Sequence, residues 1–437
     1  MKLFNKNIHQ YNFSLFIITL FISSINTSCQ EVENNNMDLF VNIKSINPND
    51  TNFSDLEPLK KILKDVDIVM LGEQSHGDGS TYEAKTRLIK FLHQEMGFDV
   101  LAFENIMFDG NKVWQEIKKG KDPLQSSQKG INKLWSSSKQ CIPLFKYISS
   151  KKNTFHPLIL TGIDNRTTSM FMRNYFLKDF ETFLKPLDKK FIKGSVWKNF
   201  LNLFVKFPLY YSPEQNKDSI LNFAKTYKRH LNLIKDKLKS LIHKNSDQTD
   251  NINFWIQQIN GLNAWTDGLI NKDDPYIPGI IRDSIMAENI IFLKNNYYKN
   301  HKIIVWAATA HLIKDSKGID FESYNKNNIK RVGEYISEYY KNKVYVVGFT
   351  SAVGKMLNFV YQNVTDLSNP SKGSIEDILQ SLNKEYLFID FRNKNIKDIF
   401  DRNLNSKCLG NIELQNNWTK SLDGIFYIKT LEPSELY

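Results

Sequence analysis

A chain of 437 residues that is 41% hydrophobic has enough apolar side chains for a large core, and nothing in its composition indicates disorder. The formal charge of +11 is diffuse, with no basic stripe interleaved with aromatics, which excludes a nucleic-acid groove. Taken from its start, Lys2 and Lys6 precede an apolar segment from Phe13 to Ile25 that is free of acidic residues, and Asn26, Thr27 and Ser28 then lead to Cys29. This is the pattern of an export signal over residues 1–28, too short and too closely followed by polar residues for a membrane span. Its removal lowers the formal charge to +9 through loss of Lys2 and Lys6. Cys29, with small residues before it and Gln30, Glu31 and three asparagines soon after, resembles a bacterial lipoprotein processing site, so lipidation at Cys29 and a membrane anchor are expected. The alternative is cleavage and release. Residues 29–55 read as a polar tether.

The folded domain is expected over 56–437, opening with a helix from Leu56 to Leu63. Asp67 to Leu71 is a short apolar run that predicts a buried strand, and Asp99 to Phe103 predicts another. Between them Leu88, Leu92 and Met96 recur at helical spacing, Ser80 and Glu83 stand at capping-box spacing, and Gly97 suits the helix end. A strand, helix, strand unit predicts a parallel pair, with Glu73 and Glu104 at the ends of adjacent strands. An irregular loop and helix over Asn105 to Lys119, closed by Gly120, and a helix from Leu134 to Ile148 follow. A third strand at Leu158 to Leu160 has Asp164 just beyond its end.

From Met170 to Asn271 there is no strand signal. Ile220, Phe223, Tyr227, Leu231, Ile234, Leu238 and Leu241 mark one helix face, with Lys225, Lys228, Arg229, Lys235 and Lys239 on the other. A run from Phe207 to Pro213 breaks two helices, and its aromatics either pack in the core or line a pocket. Pro278 opens a further helix whose apolar face includes Arg282, and an arginine there must find a carboxylate or carbonyl. Strands are expected at Ile303 to Ala307, with His311 shortly after it, and at Val344 to Gly348, Tyr386 to Ile389 and Gly424 to Ile428. The fold class is therefore α/β: a mostly parallel central sheet flanked by helices, with a large helical insertion at about 168–278 over the active-site edge.

Ligands of open parallel sheets bind beyond the carboxyl ends of the strands, where Glu73, His76, Glu104, Asp164 and His311 would meet. There is no phosphate-binding glycine loop, no serine elbow and no paired-cysteine zinc signature. Cys141 and Cys408 have no motif spacing, and either pair in an oxidising compartment or remain free.

The motifs LGEQSHG at Leu71 to Gly77, LAFEN at Leu101 to Asn105, GIDNR at Gly162 to Arg166, RDSIMAEN at Arg282 to Asn289 and VWAATAH at Val305 to His311 together resemble the erythromycin esterase family. The resemblance runs from about Leu63 to Ser434 and implies an α/β hydrolase with a helical portion over a deep cleft. It makes His76 the base that activates water, with Glu73 and Glu104 positioning and polarising that water. Lys85 stands where the family often has an arginine, His311 matches the second histidine of the late motif, and Arg282 matches the arginine before the methionine. Ala308 and Thr309 depart from the macrolide-hydrolysing members, which carry histidine and asparagine there.

The chemistry of these groups leads to the same expectation: hydrolysis of an ester or lactone without a cofactor or covalent nucleophile. A histidine with a carboxylate partner takes a proton from water near neutral pH, and Arg282, Lys85 or His311 stabilises the oxyanion. Asp164 and Ser75 are candidate substrate-binding residues for a small-molecule substrate. Two alternatives stand beside this reading. One is a metal-dependent hydrolase or haem-uptake-like protein, with Glu73, His76, Glu104 and His311 as ligands. The other is a catalytically silent lipoprotein that binds a ligand in the cleft.

Overall fold

The apolar runs become the strands of one sheet in the computed structural model, which describes residues 39–166, 169–211, 215–319, 329–359 and 361–437. In chain order its strands are β1 (Val41–Ile43), β2 (Ile68–Glu73), β3 (Phe98–Ile106), β4 (Ile159–Asp164), β5 (Lys302–Ala308), β6 (Val344–Asn358), β7 (Asn363–Asp366) and β8 (Tyr386–Asp390). A separate hairpin, β9 (Leu404–Leu409) and β10 (Ile412–Asn416), precedes β11 (Gly424–Leu431), which returns to the main sheet. The order across that sheet is β1-β8-β11-β6-β2-β5-β3-β4, with β7 paired to β6. From β11 to β4 all neighbours are parallel, and β8, β1 and β7 join as antiparallel partners. Helices cover both faces of such a sheet, which is why Ile68 to Leu71 can be apolar without alternation and wholly buried.

The first two predicted strands are parallel, as expected, but they are not adjacent. β5 lies between them, with Glu73 opposite Ala308 on one side and Phe103 opposite Trp306 on the other. A strand some two hundred residues later in the chain therefore separates the two carboxylates, an order that no local pattern specifies.

The helices are labelled α1 (Pro58–Ile62), α2 (Gly79–Met96), α3 (Met107–Lys118), α4 (Ile142–Lys151), α5 (Met170–Leu187), α6 (Ser195–Lys206), α7 (Lys217–Ile242), α8 (Thr249–Ile270), α9 (Ile277–Phe292) and α10 (Val332–Tyr340). Gly97 ends α2 in the left-handed region at φ 71°, where a side chain would be strained. The expected capping box does not form. α2 starts one residue before Ser80, and the Ser80 hydroxyl instead accepts from the backbone N–H of Glu432 at 2.8 Å. β3 runs on to Ile106 and α3 follows it directly, so the irregular loop expected after Glu104 is absent. The helix expected over 134–148 is also broken, into short turns and α4, as the chain turns to bury Trp135 and Pro143 opens the new helix.

The tether is another correction. Residues 39–55 are folded onto the domain: β1 extends the sheet beyond β8, and Asp55 takes both Arg87 nitrogens at 2.8 and 3.0 Å. Arg87 and Lys90 are buried on α2, and the Ser45, Asn52 and Pro48 carbonyls supply the acceptors that their donors require. The remainder of the expected tether, the signal segment and Cys29 lie outside the described residues. Cys141 and Cys408 are both buried and free, so they do not pair.

The insertion is helical throughout α5 to α8, and α7 buries the seven apolar residues of the predicted face. It is tied to the carboxyl edge of the sheet by Asn165, just past β4, which donates to the Gly261 carbonyl of α8 at 3.2 Å. Asn289 of α9 donates to the Ile163 carbonyl of β4 at 2.6 Å and accepts from Gln257 of α8 at 2.8 Å. Phe207 and Pro208 wall the rim of this insertion, and Tyr210 stacks on Phe223 with ring centroids 3.9 Å apart.

Candidate active site

Glu73 closes β2 as a wholly buried carboxylate with four donors around it. Lys85 Nζ at 2.7 Å and Trp306 Nε1 at 2.7 Å donate to Oε2, while Trp135 Nε1 at 2.9 Å and His76 Nδ1 at 2.8 Å reach Oε1. Burial works against the Glu73 anion, but the Lys85 charge and the His76 hydrogen bond outweigh it and hold the pKa below its usual value. Lys85 is itself fully buried, with its ammonium 4.1 Å from the centre of the Trp306 ring, and burial lowers its pKa against the pull of Glu73. Both side chains are fully buried: Glu73 holds His76 directly, and Lys85, expected as a partner for the oxyanion, reaches the cluster through Glu73.

His76 is different, since its side chain keeps 32% of its surface exposed. The loop that carries it turns at Gly77, whose φ of 114° and close approach to the Leu357 carbonyl leave no room for a Cβ. Asp78 braces the same loop by accepting from Ser75 N at 3.0 Å and from Asn411 at 3.0 Å. Trp135 meets the His76 ring edge to face, with centroids 5.7 Å apart. Burial opposes the His76 cation, yet the Glu73 bond and the charges of Glu73 and Glu104 together raise its pKa. With Nδ1–H directed to Glu73, the Nε2 lone pair is the free basic position.

The second half of the site is built on the ends of β3, β4 and β5. Glu104 accepts from Arg282 Nη2 at 2.7 Å and from the Ala308 backbone N–H at 3.0 Å. Asp164 faces the same guanidinium, at 3.1 Å from Nε and 2.8 Å from Nη2. Burial disfavours both anions, but the charges of His311 and Arg282 drive the Glu104 pKa well down, and Arg282 lowers that of Asp164. The guanidinium is correspondingly held protonated. This is the partner that an arginine on an apolar helix face required.

His311, in the turn after β5, lies with Nδ1 2.5 Å from Asp283 and Nε2 3.3 Å from Glu104. Burial opposes its charge, but Asp283 and Glu104 raise its pKa to about 9. A charged ring directs Nε2–H to Glu104. The Arg282 Nη1 contact, at 2.9 Å from the same nitrogen, becomes a hydrogen bond only when the ring is neutral. Asp283 also accepts from Arg331 at 3.3 Å.

The structure thus brings together Glu73, His76 and Lys85 in one cluster and Glu104, Asp164, Arg282 and His311 in another, with Glu104 and His311 close enough to shift the His76 equilibrium. Ser75 is set aside from both, its hydroxyl 3.4 Å from the His76 carbonyl oxygen. The metal set proposed from sequence does not assemble. Glu73 and Glu104 are occupied by cationic, indole and amide donors, and among the described residues no group of three or more His, Cys, Asp or Glu could hold a metal ion.

Sequence reasoning missed Trp135, Trp306 and Asp283. Asp283 adjoins Arg282 in the RDSIMAEN motif, and Trp306 lies in VWAATAH, so two of the three sat inside motifs already singled out. Trp135 carried no signal.

The family model of erythromycin esterase matches residues 93–431. The chain is 28% identical over 400 residues to the Bacillus subtilis (strain 168) protein named "Putative hydrolase YbfO", covering 87% of each chain. It is 23% identical over 412 residues to erythromycin esterase type II of Escherichia coli, covering 90% of this chain and 96% of that one. A solved structure of a mutant of the erythromycin esterase EreC in its open conformation superposes with a TM-score of 0.64 at 16% identity, over 90% of this chain and 97% of that one. The match by family model, which spans most of the chain, places this protein in the erythromycin esterase family of hydrolases.

Proposed function

We propose that the protein hydrolyses a carboxylic ester or lactone by direct attack of water, with His76 as general base. One observation carries this reading: His76 is the partly exposed member of the cluster, while Glu73 holds its Nδ1 and leaves Nε2 to take a proton. Water attacks the carbonyl carbon, its proton passes to His76 Nε2, and the carbonyl oxygen gains negative charge. The Nη1–H of Arg282, which the charged His311 ring leaves uncommitted, donates to that oxygen and the His311 cation adds its charge, and collapse of the tetrahedral species expels the alcohol with a proton returned from His76. Glu104 and Asp164 hold these cations in place.

The proposal extends to an ester or lactone in general and not to macrolides in particular. Ala308 supplies only a backbone N–H, already given to Glu104, where the macrolide-hydrolysing relatives considered above carry an imidazole. Export and a lipid anchor on Cys29 belong to the proposal and rest on residues 1–29.

The test is turnover of aryl esters, simple lactones and a macrolide panel by wild type and by His76→Ala. A loss of about two to four orders of magnitude in kcat is expected, with the fold intact, and Ser75→Ala should be mild. Full activity in His76→Ala on any substrate of the wild type would falsify the mechanism, and a trapped adduct on Ser75 would replace it.

A further inference from the structure

A cavity of about 620 Å³ is lined by Arg282, the residue that joins Glu104 to Asp164, and by Arg166, Arg173, Phe207 and Trp265. No aspartate or glutamate is among its described lining residues. Arg282 and Arg166 are answered by Asp164, at 2.8 and 3.9 Å. Arg173 is not: it is exposed on α5, and among the described residues no carboxylate lies within ion-pair distance of it. Arg173, Phe207 and Pro208 also border a second cavity of about 230 Å³, whose other walls include Leu177, Phe204, Tyr227 and Leu262. A guanidinium therefore stands at the junction between a cation-lined passage to the catalytic cluster and an apolar slot.

Such a junction suits one chemical class. A guanidinium binds a carboxylate or phosphate through two parallel hydrogen bonds, and an apolar slot beside it takes a chain or ring. We propose that the substrate of this hydrolase is an anionic amphiphile, with its charged group at Arg173, its apolar part in the slot, and its ester or lactone carbonyl extending toward Arg282. The orientation rests on the hydrolase reading above; the binding site itself does not.

Binding of octanoate, octyl phosphate and octanamide by calorimetry tests the proposal with probes that share one chain and differ in charge. The wild type should bind both anions at least about tenfold more tightly than the amide, the worth of one charge-assisted contact. Arg173→Glu should remove that preference without altering octanamide binding. Leu177→Trp, which narrows the slot from a half-exposed position, should weaken all three. His76→Ala should bind octanoate as the wild type does, so that failure of the base assignment and failure of this site are separately visible. Equal affinity for octanoate and octanamide, absence of octanoate binding, or unchanged octanoate affinity in Arg173→Glu would each overturn the proposal.

Discussion

Trp306 donates its indole N–H to Glu73 at 2.7 Å from β5, the strand that also gives the Ala308 backbone N–H to Glu104 at 3.0 Å. One strand thus fixes a carboxylate on each of its neighbours. Trp306→Phe keeps the stacking on Phe103 but removes one of four donors to Glu73. A fall of about tenfold in kcat with KM unchanged is expected, together with a stability loss of about 1.5 to 3 kcal/mol for a hydrogen bond to a buried charge. A rise in KM alone would contradict a positioning role.

Lys85 and Glu73 form an ion pair with both side chains fully buried. Lys85→Met leaves the Glu73 carboxylate with indole and imidazole donors only, so a loss of about 3 to 5 kcal/mol in stability is expected, read as a drop in the denaturant midpoint. Lys85→Arg, which restores charge, should recover part of it. A Lys85→Met variant as stable as wild type would show that the pair contributes little.

Two histidines with raised pKa values give different pH signatures. In the proposed mechanism His76 is a neutral base, so the acid limb of kcat/KM should lie above the ordinary histidine value near 6.5. The same mechanism uses His311 as a cation, so activity should fall again as pH passes about 9. Because its folded pKa exceeds its unfolded one, His311 contributes stability that is fully present below about pH 6.5 and is lost as pH rises through about 9, of order 3 kcal/mol. Asp283→Asn keeps an acceptor for Nδ1 but removes the negative charge beside it, so it should move the alkaline limb and the His311 resonances in NMR to lower pH. An alkaline limb that stays in place in Asp283→Asn would remove His311 from that role.

Cys29 is expected to carry lipid in the exported protein, since it ends the apolar signal and opens a polar segment. Metabolic labelling with a clickable fatty acid should mark the wild type and not Cys29→Ser. Label that persists in the variant would place the modification elsewhere.

Most strands were legible because a strand buried on both faces is a short run of Val, Ile and Leu, as at Ile68 to Leu71 and Ile303 to Val305. α7 was legible because its apolar residues keep a spacing of three and four. The break after Trp135 was not, since it depends on what that indole donates to across the sheet. The Ser80 cap differs for a related reason: a local pairing with Glu83 lost to Glu432, just past β11 at the far end of the chain.

By itself, then, the sequence determined that acidic residues and histidines follow strand ends, because strand ends are local and the carboxyl edge of a parallel sheet collects them. Which carboxylate serves which histidine was decided only in three dimensions. The strand order placed β5 between β2 and β3, and α9 crossed the edge to bring Arg282 and Asp283 against Glu104, Asp164 and His311. Those pairings join residues as far apart as Glu73 and Trp306, and they follow from packing across the whole sheet, which no window of sequence contains.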